Sequence, residues 1–316
     1  MRQELLLARA GKNGHNDLET RIGNTGTRGV IISLIVGVHG IAKQQLGRRS
    51  MLEAWQAALG DGMERAGMAR EMPNPDLDIA FYGDVFLPER DETKGTVSLG
   101  DDWLLAGIDE AEETELAEQA VLDFPAAFEG KNGKDKAFTQ TPKPLQHVIR
   151  ALDSYFWPSA GILFVGELRQ VRRYLRDPGL KAKVHQRVHA AVTAGARTRV
   201  LIGHSLGSVV AVEYLRSHPD VKVDLLLTCG SPLGARLVRS KMRDAGTLPA
   251  NATLWTDVRD PRDPVAFSGE LSAFWPGVID REVDNQGDAH SVERYLRKRR
   301  TGEAVIKVVN APDDAA

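Results

Sequence analysis

The residues best suited to chemistry stand at positions 203–207, Gly-His-Ser-Leu-Gly, with Ser205 at the centre. This is the G-x-S-x-G spacing of a nucleophile elbow, a motif that means something only between a strand and a helix. A serine hydroxyl is a poor nucleophile at neutral pH and needs a base within hydrogen-bond reach. That base, an imidazole, needs an acid on its far nitrogen to fix its tautomer. Two histidines follow Ser205, His218 and His290. His218 closes the helix expected after the elbow and is badly placed, so His290 is the expected base. Asp263 is the expected acid. Asp260 in the same loop is the alternative, and Asp284 and Asp288 are more remote choices. Negative charge gathers on a substrate carbonyl oxygen only during reaction, so two aimed backbone donors are also expected. One is the N–H of Leu206. The other is that of Ile41, after His39-Gly40, where Gly40 lets the chain turn. The plainer reading of His39-Gly40 is a strand-end turn with a surface histidine.

These groups need a scaffold. Val200-Leu201-Ile202 reads as a short buried parallel strand, and Leu206, Val209, Val210 and Leu215 follow with helical spacing. A Cβ at either Gly203 or Gly207 would strike the strand or the helix. Residues 30–38 are β-branched and apolar on both faces, as in a central parallel strand. Residues 44–66 carry Leu46, Met51, Leu52, Trp55, Ala58 and Leu59 at helical spacing, and residues 77–82 read as a second strand. A β–α–β order implies a parallel pair. Further strands are expected at 221–228, 254–258 and 278–283, the last more polar and so an edge. All carboxyl ends of a parallel sheet lie on one side, which gathers Ser205 with the loops carrying Asp263 and His290.

Residues 84–160 interrupt the pattern with a charged stretch, an acidic helical segment at 109–124 and the aromatics Phe124, Phe128, Tyr155, Phe156 and Trp157. They read as an inserted helical cap over Ser205; the alternative is a helical layer remote from it. Two helices are expected around 168–174 and 181–194. Residues 1–28 read as a flexible N-terminal arm, 29–300 as an α/β domain holding the insertion, and 301–316 as a C-terminal extension and tail.

Composition narrows the function classes. Apolar residues form 42% and charged residues 27% of the 316, as in ordinary globular domains. A formal net charge of −2 gives no case for nucleic-acid binding. The single cysteine, Cys229, excludes an intramolecular disulfide, reads as a buried packing residue and is compatible with a reducing compartment. No convincing leader and no span-length apolar run is present, so a cytoplasmic protein is expected. His185 and His189 stand four apart on one helix, but no third ligand is near; they read as a solvated face, as do His15, His147 and His218. No metal and no organic cofactor is expected. The run Arg297-Lys298-Arg299-Arg300 reads as a solvated helix end, with peripheral membrane contact through it and the aromatic insertion as the alternative. Oligomeric state is not legible.

Taken together, Val38-His39-Gly40, Gly203-His204-Ser205-Leu206-Gly207, the turn from Thr228 to Gly234, Asp263-Pro264-Val265 and Ala289-His290 resemble the α/β-hydrolase superfamily, in particular its lipase- and esterase-like members. The resemblance implies a mostly parallel sheet flanked by helices, with an inserted helical cap. It implies Ser205, His290 and Asp263 as nucleophile, base and acid, and an acyl-enzyme formed from a carboxylic ester. By analogy it also implies a small-molecule or lipid acyl substrate. No antiparallel strands are legible ahead of residues 30–38, so the sheet is expected to be minimal. A thioesterase, peptidase or acyltransferase using the same residues stays open, as does a non-catalytic binding module on this fold.

Overall fold

The computed structural model describes residues 35–40, 47–68, 75–86, 107–129, 143–195 and 197–311. The chain begins there with strand β1 (Ile35–Val38), helix α1 (Arg48–Arg65) and strand β2 (Leu77–Ala80). A run of helices follows: α2 (Glu110–Asp123), α3 (Pro125–Phe128), α4 (Lys143–Tyr155), α5 (Ala160–Arg176) and α6 (Pro178–Val192). The order then alternates through β3 (Val200–His204), α7 (Leu206–Ser217), β4 (Val223–Cys229), α8 (Arg236–Lys241), β5 (Ala252–Arg259) and β6 (Ile279–Glu282). Helices α9 (Val292–Leu296) and α10 (Arg299–Val309) close it.

The six strands form one sheet in the order β2-β1-β3-β4-β5-β6, every neighbour parallel. The fold is therefore α/β with a parallel sheet between helical layers, and β6 is an edge. The central strands β1 and β3 are buried and mostly apolar on both faces because both faces are covered. Val36, Val38, Leu201 and Leu226 pack with α2 and α4 to α8, while Ile35, Val200, Ile202, Leu225 and Leu227 pack with α1, α9 and α10. In α1 the spacing of Met51, Trp55, Ala58, Leu59 and Met63 puts all five on the buried face. The larger of these side chains each contribute ~1.5–3 kcal/mol by leaving water, most of it offset by lost chain entropy.

Sheet order places the site. From β1 the chain moves outward to β2, then returns past β1 to β3 and continues the other way. Where strand order reverses, the crossovers leave a crevice at the carboxyl ends of the two strands. Val38 pairs with Gly203, so His39 and Gly40 leave the sheet beside His204 and Ser205.

Two features differ from the sequence reading. Residues 292–309 form two helices, broken at Arg297–Lys298, so the run 297–300 does not end a single helix and residues 301–309 are helical. Arg299 and Arg300 therefore open α10 instead of ending a helix, and Val305 and Val308 bury themselves against α1. His185 is buried, and its ring Nε2 lies 2.7 Å from the Tyr174 hydroxyl, so α6 does not expose it as a solvated face. Among the described residues no helix is long and apolar enough to cross a membrane, and no three His, Cys, Asp or Glu side chains are grouped as a metal would need.

Candidate active site

Ser205 sits between β3 and α7 with φ 55° and ψ −128°, a conformation that L-residues rarely adopt. Such strain persists only where the surroundings impose it. Here close packing does so. A Cβ on Gly203 would come within 2.7 Å of the Gly207 carbonyl oxygen, and one on Gly207 would run into the carbonyl oxygen of Val38. The helix can therefore start only by bringing its backbone flush against β1 and β3, which turns the serine side chain out of the bend.

Three loops deliver the partners. The Ser205 hydroxyl lies 3.1 Å from Nε2 of His290. Nδ1 of His290 lies 3.0 Å and 2.8 Å from the two carboxylate oxygens of Asp263. Asp263 is fully buried, and its remaining acceptor capacity is filled by the Tyr295 hydroxyl at 2.8 Å and the Val265 N–H at 2.9 Å. With Asp263 accepting from Nδ1–H, the neutral ring has its Nε2 lone pair facing the serine. Burial works against a charged imidazole, yet the Asp263 carboxylate, then Glu167 and Asp288, outweigh it. Together they hold His290 above the ordinary imidazole value.

Neighbouring groups lock this arrangement. The Nε2 of His204 lies 2.9 Å from the His290 carbonyl oxygen, so the residue beside Ser205 pins the backbone of His290. Burial and the adjacent Asp263 keep the Tyr295 phenol protonated, as a donor must be. Tyr295 also accepts from the Asp260 N–H at 3.0 Å. Asp260 itself turns away from His290. It binds Arg262 and accepts from the Asn285 N–H, tying the loop after β5 to the loop before His290. Asp284 pairs with Arg262, and Asp288 is exposed.

On the β1 side His39 is buried, not on the surface. Its ring stacks on Tyr82 at 4.1 Å, and its Nε2 accepts from the Tyr82 N–H at 3.1 Å. Tyr82 in turn donates from its hydroxyl to the His39 carbonyl. Gly40 lies so close to the elbow that a Cβ there would stand 2.7 Å from that of Ser205. Ile41 lies outside the described residues. The Leu206 N–H belongs to the first turn of α7, where the helix itself offers it no acceptor.

The sequence reading missed Glu167. It lies on the inward face of α5 and is 3% exposed. Its carboxylate faces the Ser205 hydroxyl and the Leu206 N–H, and its Oε1 lies 4.0 Å from Nε2 of His290. Burial pushes its carboxyl above the usual carboxylate value, with His290 and those two donors pulling the other way. A lone glutamate in an otherwise ordinary amphipathic helix gives no signal in a sequence.

Comparison with protein-family models, with curated proteins and with solved structures finds no match to this chain.

Proposed function

We propose that this chain is a serine hydrolase of the α/β-hydrolase type, acting on a carboxylic ester through an acyl-enzyme. One observation carries the reading: the continuous path from Ser205 through His290 to buried Asp263, at 3.1 Å and 2.8 Å. Unrelated folds that perform this chemistry share that geometry, so the geometry is a better guide than any likeness of chain. In the proposed step the Ser205 oxygen bonds to the acyl carbon while its proton passes to Nε2 of His290. The carbonyl oxygen, now negative, takes the Leu206 N–H. Collapse of the tetrahedral adduct breaks the bond to the leaving alkoxide, which receives the His290 proton. Water then repeats the sequence against the acyl group, with His290 as base and Ser205 as leaving group.

The helical segment between β2 and β3 is proposed as the cap that shapes the substrate site. Phe124 at the end of α2 and Phe164 on α5 meet Phe267, which lies just beyond Asp263, at ring-centre distances of 3.8 Å and 5.7 Å. An aromatic wall of this kind would suit an apolar acyl chain. Chromogenic acyl esters of increasing chain length, run against matching thioesters and anilides, test the reading. Turnover of esters that is lost in Ser205→Ala is expected. Turnover of anilides or thioesters alone would move the assignment to a peptidase or thioesterase, and no turnover of any would favour a binding module.

A further inference from the structure

Glu167 stands where a substrate should. The groups converging on its carboxylate, the Ser205 hydroxyl and the Leu206 N–H, are both donors. They are the nucleophile and an oxyanion donor of the proposed reaction, so the carboxylate fills the acceptor position that a substrate carbonyl needs. With Oε1 4.0 Å from the base, it is held among nucleophile, base and donor as a carboxylic acid product would be. It is 3% exposed, and its Oε2 is buried with no hydrogen-bond partner among the described residues. Half of the carboxylate therefore gains nothing from its burial, a contact poorly suited to permanence.

We infer that Glu167 is a built-in competitor of the substrate: its carboxylate holds the acyl position in a closed state, and a substrate carbonyl must displace it to reach Ser205. The inference rests on the serine-hydrolase reading. It makes α5 both a wall of the proposed cap and a gate, since Glu167 can leave only by a change of its own rotamer or a shift of that helix. The charged and titratable groups facing it are His290, Asp263 and the Tyr82 phenol, and those facing His290 are Asp263, Glu167 and Asp288. A negative Glu167 favours the protonated imidazole, which cannot accept the serine proton, so displacement also frees the base.

Two measurements on the full-length chain test this. The first is the second-order rate of Ser205 phosphonylation by an alkyl fluorophosphonate, followed by intact mass. That step forms the serine oxygen–phosphorus bond, expels fluoride and sends the serine proton to His290. Glu167→Ala should react at least ~10-fold faster than the parent; an equal or slower rate overturns the inference. The second is the His290 titration by NMR, which needs no reactivity. Glu167→Gln removes the charge with little change of shape and should lower the midpoint; an unchanged midpoint overturns the inference. Absence of Ser205 labelling in every variant, with a lowered midpoint, would sink the hydrolase reading and the inference with it, whereas labelling at equal rates would overturn the inference alone.

Discussion

Replacing Asp263 by asparagine tests the proposed division of labour at the level of single protons. The carboxylate has no exposed surface and serves three donors: Nδ1–H of His290, the Tyr295 hydroxyl and the Val265 N–H. Asparagine keeps the shape but owns one acceptor oxygen and one NH2 group. If the oxygen stays on the Val265 side, the NH2 group faces Nδ1 and the phenol. Tyr295 can rotate its proton, but Nδ1 can answer only by losing its own. The ring then carries its proton on Nε2, pointing at Ser205, and has no lone pair for the serine hydrogen. A loss on the order of 10⁴ in kcat/KM follows, equivalent to ~5 kcal/mol of transition-state stabilisation. The assay is initial-rate hydrolysis of the best chromogenic ester, with circular dichroism melting to show that the variant folds. A folded Asp263→Asn variant within tenfold of the parent would refute the tautomer argument. Asp260 would then become the acid to examine, although its contacts run to Arg262 and Asn285.

Further expectations follow from the same contacts. The proposed catalysis needs the neutral imidazole, whose fraction grows as pH rises. With His290 held above its ordinary 6.5, the acid limb of kcat/KM should reach half its maximum above pH 6.5, read from a rate–pH profile. Burial raises Asp257 to about 7 from an ordinary 3.8, against the pull of the Thr228 hydroxyl. The folded chain thus holds a proton that the unfolded chain has lost, so stability should fall as pH rises from 3.8 to about 7. Asp257→Asn should flatten that fall, worth at most ~4 kcal/mol, in urea melts across the range. Gly207→Ala forces a methyl into the Val38 carbonyl, so thermal melting should show destabilisation of roughly 1–3 kcal/mol or outright misfolding.

The elbow was legible because everything that makes it is local. An apolar run, two glycines around a serine and a helical repeat lie within residues 199–215, and the strain at Ser205 follows from their packing. The parallel order was legible for a related reason, since strands covered on both faces must be apolar throughout. The carboxylate that meets His290 was only half legible. Asp260 and Asp263 share one turn, and which points at His290 is decided by Tyr295, Arg262 and Asn285, which arrive from elsewhere in the chain. Glu167 was invisible for the same cause in stronger form: its role comes from the approach of α5 to the elbow, and nothing around residue 167 encodes that approach. The histidines of α6 show the converse error. Spacing along a helix gives a face, but only the packed partner, here Tyr174, decides whether that face meets water.

The most direct test of a serine activated by His290 is covalent labelling of the folded chain with a fluorophosphonate, mapped by peptide mass spectrometry. Modification confined to Ser205, lost in Ser205→Ala and at least ~100-fold slower in His290→Ala, is the expected result. A folded chain that leaves Ser205 unmodified at every pH from 6 to 9, with Glu167 removed as well as with it present, would contradict it.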